Sequence, residues 1–420
     1  MKGSLIKQHR KFKNMTLEDL ASGICSVSYL SKIEHNTINA SDEIYRLLGE
    51  RLKIKLTDIN QDFDEQMYQD LLDWHEAAQM RDFPLMRELY EKCQLAFEDN
   101  KNINLVNLFK IIEARHLMTF EKKPIQQEIL KKLNDTFHDA SNEFQFFYYK
   151  TVGVHHLFSS NLREALHHFL EAKRIMGLLP LDDAEVPFHL ALAYSKTRSF
   201  VESTHYAFLA LEGYKSTLYY SRMVDSYIII AINYNSLGAH LIAEEYLLKV
   251  LKVAKYHLSS IEKRRIYHNL GINYINQEKY DEAFDFLKKA YVIDTEESMF
   301  TSSTIYLLAL TCYHSGDISL CWEYIKVGEK ESEKHDLIKY KHKFHILRHM
   351  ISDSTLNEDF IKTLENEIIP SFRKLNEYKD YKEFVEMLGN LYYEKRMYKK
   401  AAMYYKEANN YKETQKKDLL

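Results

Sequence analysis

From about residue 70 onward the chain returns to one pattern at a near-constant interval. A small residue is followed four positions on by a large apolar one and seven positions on by a second Ala: Ala165, Phe169 and Ala172; Ala283, Leu287 and Ala290; Ala401, Tyr405 and Ala408. About a dozen residues before these sets stand Gly153, Leu270-Gly271-Tyr274 and Leu388-Gly389-Tyr392. Weaker copies centre on Ser203 (with Tyr194 and Ala210), Ala243 (with Tyr234) and Leu320 (with Tyr324). The anchors at 165, 203, 243, 283 and 320 step by 37 to 40 residues, and 401 lies two steps on, across a degenerate unit near Phe360. Degenerate copies near Met86 and residue 127 extend the series towards the N-terminus, giving about nine units. Spacings of three, four and seven mark one face of a helix. A unit of this length, so often repeated, reads as a pair of helices that cannot bury its apolar face alone, so neighbours must stack. The small residues let paired helices approach closely and the aromatics fill the gaps between neighbours. An all-α body over 71–420 follows.

The first 60 residues do not share the repeat. Thr16 is placed to cap a short helix with apolar Leu17, Leu20 and Ala21, and Gly23-Ile24-Cys25 supplies a tight turn. Ser26 can cap a second helix in which Val27, Leu30 and Ile33 share one face, with Ser28, Tyr29 and Lys32 off it. Two short helices joined by a glycine-containing turn form a helix-turn-helix, and the second has the size to enter a DNA major groove. Before it, Leu5, Ile6 and His9 begin a helix whose outer face carries Lys7, Arg10, Lys11 and Lys13. After it, Asn36 to Asn39 make a polar turn, and Ser41 and Asp42 cap a helix holding Ile44, Leu47, Leu48 and Leu52, with Ile54, Leu56 and Ile59 closing the core. Residues 61–70 are acidic and polar and read as a connector into the repeats.

Composition excludes more than it selects. Only 11 Gly and 5 Pro in 420 residues argue against a turn-rich β protein or a Rossmann enzyme, while 31 Tyr and 22 Phe suit large wedges between helices. Cys25, Cys93, Cys312 and Cys321 show no metal-ligand spacing, so a reduced, metal-free, cytoplasmic protein is expected. The opening MKGSLIKQHRKFK has no apolar signal-peptide core, and the YIIIAI run at Tyr227 to Ile232 is too short to span a bilayer and reads as buried core, as does FQFFYY at Phe144 to Tyr149. His155, His156, His167, His168 and His189 sit at helical spacings with no HExxH or paired-carboxylate frame, so neither an enzyme, a metal site nor a cofactor is expected. Residues 1–60 carry 10 Lys+Arg against 7 Asp+Glu, and the remainder 47 against 54. A mildly basic head on an acidic body fits nucleic acid at one end only.

Two resemblances carry these residues further. LEDLA (Leu17–Ala21), SVSYLSKIE (Ser26–Glu34) and LKIKLTDI (Leu52–Ile59) resemble the phage-repressor-type (XRE-like) DNA-binding domain of five short helices. The resemblance implies that Val27, Ser28 and Lys32 read bases and that Ser26 and Tyr29 touch phosphates. The family often opens the first helix of the pair with Gln; Leu17 here removes that backbone contact. The repeat resembles the tetratricopeptide pattern, at a period somewhat above its usual ~34 residues, and implies a right-handed superhelix of about nine helix pairs. First-helix side chains line the groove of such a superhelix. Here the inward positions include Asp225, Asn235, Arg265, His268 and Asn276, with Asn269 beside them, Asn233 and Asn273 nearby, and Lys150 and Lys196 further along. Asn is a poor helix former, and an extended peptide gives several of them a reason, since each amide can donate to a peptide carbonyl and accept from a peptide N–H.

An XRE-like head on a long tetratricopeptide body resembles the RNPP regulators (Rap, NprR, PlcR, Rgg), the NprR branch most. That resemblance implies a cytoplasmic quorum-sensing transcription factor: it binds double-stranded operator DNA, is switched by a short signalling peptide, and forms a homodimer or higher oligomer. It also implies a further role in binding a sporulation phosphorelay response regulator. The competing expectation is a Rap-like repeat protein that binds such a regulator or promotes its dephosphorylation, with Gln69 or Gln79 positioning water and DNA binding secondary. A third is a general scaffold whose DNA binding ignores peptides.

Overall fold

The computed structural model describes residues 2–13, 15–35, 37–38, 40–52, 64–97, 102–137, 140–179, 181–253, 258–293, 298–375 and 377–417. It divides into two compact units, Met1–Ile229 and Ile230–Leu420. The first holds four helices of the head, α1 (Lys2–Phe12), α2 (Leu17–Ala21), α3 (Val27–Glu34) and α4 (Asp42–Leu52), then the pairs α5 (Glu65–Met80) with α6 (Phe83–Phe97), α7 (Ile103–Glu121) with α8 (Gln127–Phe137), α9 (Asn142–Phe158) with α10 (Leu162–Met176), and α11 (Glu185–Lys196) with α12 (Phe200–Thr217). The boundary falls inside α13 (Tyr220–Ser236). The second unit continues with α14 (His240–Val253), α15 (Ser260–Asn276), α16 (Tyr280–Tyr291), α17 (Ser298–Ser315), α18 (Ile318–Lys334), α19 (Ile338–Ile351), α20 (Glu358–Thr363), α21 (Ile369–Lys374), α22 (Tyr378–Glu394) and α23 (Tyr398–Lys417). Ile54, Leu56 and Ile59, where a fifth helix is expected, lie outside the described residues, as do Asn36 and Asn39 of the expected polar turn.

The repeat works through three registers. A first-helix Gly faces a large side chain 16 residues on: a Cβ on Gly153 would lie 2.6 Å from Phe169, on Gly271 2.4 Å from Leu287, and on Gly389 2.9 Å from Tyr405. A first-helix Tyr stacks on a second-helix ring 12 residues on, in Tyr194–Tyr206 (5.6 Å, 3°), Tyr234–Tyr246 (5.8 Å, 4°), Tyr274–Phe286 (5.5 Å, 18°) and Tyr392–Tyr404 (5.7 Å, 8°). The same Tyr residues give their carbonyls to the N–H five residues on, closing the turn at Ser199, Ala239, Lys279 and Met397. The residue before each of these donors is left-handed, and it is Gly only at Gly238; Arg198, Glu278 and Arg396 have φ between 59° and 62°. So few glycines serve so many hairpins because charged residues take this position. Where the anchor Ala is replaced, the new atom finds a partner 12 residues back: Ser203 Oγ donates to Ala191 O (2.7 Å) and Cys321 Sγ to Ala309 O (3.0 Å), so the buried anchor of that unit is Cys321, one residue past the expected Leu320.

The degenerate units are helical too. α8 buries only Leu133 outright, whereas α10 buries Ala165, Phe169, Ala172 and Ile175. Near Phe360, a π-turn over Leu364–Ile368 joins α20 to α21. Pro370 explains it: with no N–H and a ring that crowds the preceding turn, it cannot continue an α ladder. Glu365 in that turn accepts from Tyr392 Oη (2.6 Å) and from Tyr404 Oη, tying the last aromatic rung to the preceding unit. In YIIIAI, Ile228 to Ala231 are core, Tyr227 is half-buried and Ile232 is exposed; in FQFFYY, Phe144, Phe146, Phe147 and Tyr148 are buried.

Candidate functional site

The head presents α3 from a rigid base. Thr16 and Asp19 form a reciprocal capping box (Asp19 N to Thr16 Oγ1 3.1 Å, Thr16 N to Asp19 Oδ2 2.8 Å), and Gly23 turns the chain at φ +70°. Ser26 caps α3 by accepting from Tyr29 N at 3.1 Å. Leu30 and Ile33 face a core of Ile6, Leu20, Ala21, Tyr45, Leu48 and Leu52. Val27, which shares their face by spacing, is 42 % exposed, and with Ser28 and Lys32 it forms an accessible strip, beside which Tyr29 packs half-buried on the core. Being at the first turn, Val27 points past the edge of the core.

Two arginines clamp this unit. The Arg10 guanidinium donates to both carboxylate oxygens of Glu34 (2.7 and 2.8 Å) and to Met15 O (3.0 Å), joining α1 to the end of α3. Arg10 is thus buried, not part of the outer basic face expected from sequence; Lys11 and Lys13 are exposed. Arg51 of α4 donates to Leu20 O (3.2 Å) and to Ser22 O, satisfying carbonyls at the end of α2.

The polar residues expected in a groove are divided between the units. In the first, Lys150 is 1 % exposed and pairs with Asp183 (2.6 Å) and Glu185 (3.1 Å). Arg115 (2.7 Å), His189 (3.3 Å) and Arg222 (3.6 Å) also converge on Glu185. Asp225 is buried between Arg81 (3.2 Å) and Arg222 (3.8 Å). Lys150 and Asp225 are therefore engaged in a buried charge network, while Lys196 is exposed at the end of α11. In the second unit, Asn235 Oδ1 faces His240 Nδ1 (2.6 Å) and accepts from Asn273 Nδ2 (3.2 Å), which also donates to His240 O (2.9 Å). His268 is buried with Nδ1 3.0 Å from Thr304 Oγ1, Asn269 Nδ2 donates back to Arg265 O (2.8 Å), Arg265 is half-buried and Asn276 exposed. The structure brings Asn235 to Asn273 and leaves Arg265, Asn269 and Asn276 spaced along one helix. Gln69 donates to Asp73 (2.8 Å) and Gln79 to Asp183 (3.2 Å).

Comparison with known proteins matches both parts. Residues 6–59 match the HTH_3 helix-turn-helix family. The chain is 25 % identical over 386 residues to the transcriptional activator NprA of Geobacillus stearothermophilus, covering 90 % of this chain and 94 % of that one. A Rap protein complexed with competence and sporulation factor has the same fold (TM-score 0.71, 19 % identity, 84 % of this chain and 99 % of that one). So does NprR in complex with its cognate peptide NprX (TM-score 0.66, 20 % identity, 82 % and 99 %). In sequence the chain is similar to this activator, and in fold to these Rap and NprR proteins.

Sequence reasoning missed the Arg10–Glu34 and Arg51 clamps and the charge network around Glu185. The partners lie 24 residues apart for Arg10 and Glu34 and 70 for Arg115 and Glu185. No local spacing signals such pairs. The one usable hint is Glu185 itself, a carboxylate in the otherwise apolar run EVPFHLALAY, because a buried acid needs cations. Among the described residues no helix is long and apolar enough to cross a membrane.

Proposed function

We propose that this chain is a cytoplasmic transcriptional regulator whose head, residues 1–60, reads operator DNA and whose repeats, 71–420, bind a short signalling peptide that switches it, with 61–70 as the linker. One observation carries the reading: a capped, arginine-clamped α3 offers Val27, Ser28 and Lys32 to solvent at its first turns, in a chain similar over nine-tenths of its length to an activator. A helix reads base edges with its N-terminal residues. The peptide reading draws on NprR, which is described with its cognate peptide NprX. The contacts proposed for such a peptide are Asn235, Arg265, Asn269 and Asn276, whose amides and guanidinium suit peptide carbonyls and a carboxylate, while His268, expected among them, is buried against Thr304 and supports the groove from behind. Lys196 is accessible to the same end, whereas Lys150 and Asp225 join only if their ion pairs open. The peptide shifts the head arrangement only by its differential affinity for two states. A homodimer is expected, since two half-sites multiply the few base pairs that one short helix reads. Gln69 and Gln79 bind neighbouring aspartates, which favours a binding protein over a hydrolase; a response regulator is a further candidate partner.

The test selects duplexes bound by the full chain, titrates short synthetic peptides into the complex, and follows mass by light scattering. Ser28→Ala with Lys32→Ala is expected to weaken DNA binding about tenfold or more and to leave peptide affinity unchanged. DNA affinity equal to wild type in that variant would sink the assignment of α3. DNA binding indifferent to every peptide would leave the repeats a protein-docking surface.

A further inference from the structure

Of the three side chains in the accessible strip of α3, Ser28 carries a hydroxyl and Lys32 an ammonium, so both can be matched to polar atoms on a base edge. Val27 carries neither. It is 42 % exposed at the first turn, whereas Leu30 and Ile33 of the same helix are completely buried. Val is a weaker helix former than Ala, and a side chain so exposed adds little packing. The helix ends do not need it either. Ser26 closes the first turn by accepting from Tyr29 N (3.1 Å), and Arg10 holds Glu34 at the far end. There Thr37 also donates to Lys32 O through its N–H (3.0 Å) and its hydroxyl (2.9 Å). The helix is thus fixed at both ends, with an aliphatic group carried on its open face for which the fold has no use.

The major groove displays the four bases as hydrogen-bond donors and acceptors and a single apolar group, the C5-methyl of thymine. A cytosine methylated at C5 displays the same group. A side chain without a polar atom cannot tell one hydrogen-bonding pattern from another. Over a base amino or carbonyl group it would strand a polar atom away from water, which costs free energy. Over the methyl it removes apolar surface of both partners from water, which is favourable. Lys32 lies five residues on, about 7.5 Å along the helix axis. That is roughly two base-pair steps of ~3.4 Å, so its ammonium does not compete for the same pair.

We propose that Val27 is a specificity-determining residue that selects a pyrimidine C5-methyl, so that one base pair under each α3 must supply that group. The inference rests on the assignment of α3 as the DNA-reading helix. The full chain first selects duplexes from a random pool at fixed salt. One of these is remade with uracil in place of each thymine in turn, which removes the methyl and keeps every hydrogen-bonding group. Wild type is expected to lose about fourfold in affinity at one thymine per bound α3 and little at the others. Val27→Ala is expected to melt with wild type, to bind the thymine duplex about fourfold more weakly, and to distinguish thymine from uracil less than about twofold. At the same pair, wild type is expected to prefer 5-methylcytosine to cytosine by a similar factor. If the 5-methylcytosine duplex matches the thymine duplex, a methylated cytosine serves as well as thymine; if it is weaker, thymine is the source. Selected duplexes that share no thymine, uracil without effect at every position, or a uracil penalty undiminished in Val27→Ala each overturn this inference and leave α3 as the reader. A chain that selects no duplex overturns both.

Discussion

Glu185 is completely buried, and burial alone would raise its pKa; Arg115 and Lys150, then His189, overcome that and hold the carboxylate well below its ordinary range. Removing one member of such a cluster costs more than the cluster contributes, because the partners stay buried with their charge. Glu185→Gln keeps the shape and removes the charge, leaving Arg115, Lys150 and Arg222 facing one another. A loss of about 3–5 kcal/mol in urea unfolding is expected; a loss under about 1 kcal/mol would mean that water already neutralises these cations. Glu34→Gln is the parallel case in the head, where Arg10 would lose one of its two charge-assisted bonds across α1 and α3. Its expected signature is weaker DNA binding at elevated temperature with peptide binding unmoved.

Between helices the decisive quantity is distance of approach. A Cβ on Gly271 would sit 2.4 Å from Leu287 Cγ, inside any real contact, while one on Gly177 would meet only a backbone oxygen at 3.5 Å. Ala is the better helix former by about 1 kcal/mol, so the sign depends on space. Gly271→Ala is expected to destabilise by about 1–3 kcal/mol through overpacking, and Leu287→Ala to cost less in that background than in the wild-type chain. A double-mutant cycle without coupling would remove the Gly–Leu contact as the reason for the glycine. At the turns the logic reverses: Glu278 occupies a left-handed position at φ 59°, and Glu278→Gly is expected to raise stability by up to about 1 kcal/mol, read as a shift in melting temperature. These contacts explain which parts of the fold were legible in the chain. Gly271, Tyr274 and Ala283 recur because close approach admits few side chains, so the interval survives in sequence. The ring partners Tyr206, Tyr246, Phe286 and Tyr404 were hidden among many other aromatics. In the site, Ser26, Ser28 and Lys32 were readable from cap and helical period. Arg10, Lys150 and Asp225 were misplaced because their orientation is set by carboxylates or guanidinium groups distant in sequence.

Across the whole chain, buried histidines make stability depend on pH in one direction. His9 in the head, His116 and His189 in the first unit and His268 in the second are each pushed down to about 4, by burial first. His116 shows the cause in atoms: Trp74 Nε1–H donates to its Nδ1 at 2.9 Å, and a protonated ring would turn that acceptor into a donor facing a donor. A histidine whose folded pKa lies below its unfolded value of ~6.5 takes up its proton more readily when unfolded. Its contribution is therefore fully present above pH 6.5 and is lost as pH falls from there towards 4. For His268, almost wholly enclosed, the slope approaches about 1.4 kcal/mol per pH unit in that window. Urea midpoints measured at pH 7.5, 6.5, 5.5 and 4.5 are expected to fall steadily below 6.5, and His268→Asn to make the fall shallower with little change at pH 7.5. Because such histidines stand in the head and in both units, the loss should appear in every unfolding step resolved. A midpoint constant down to pH 4.5 would mean that these rings reach water before the helices part, and the packing around Trp74 and Thr304 would then be looser than the structure has it.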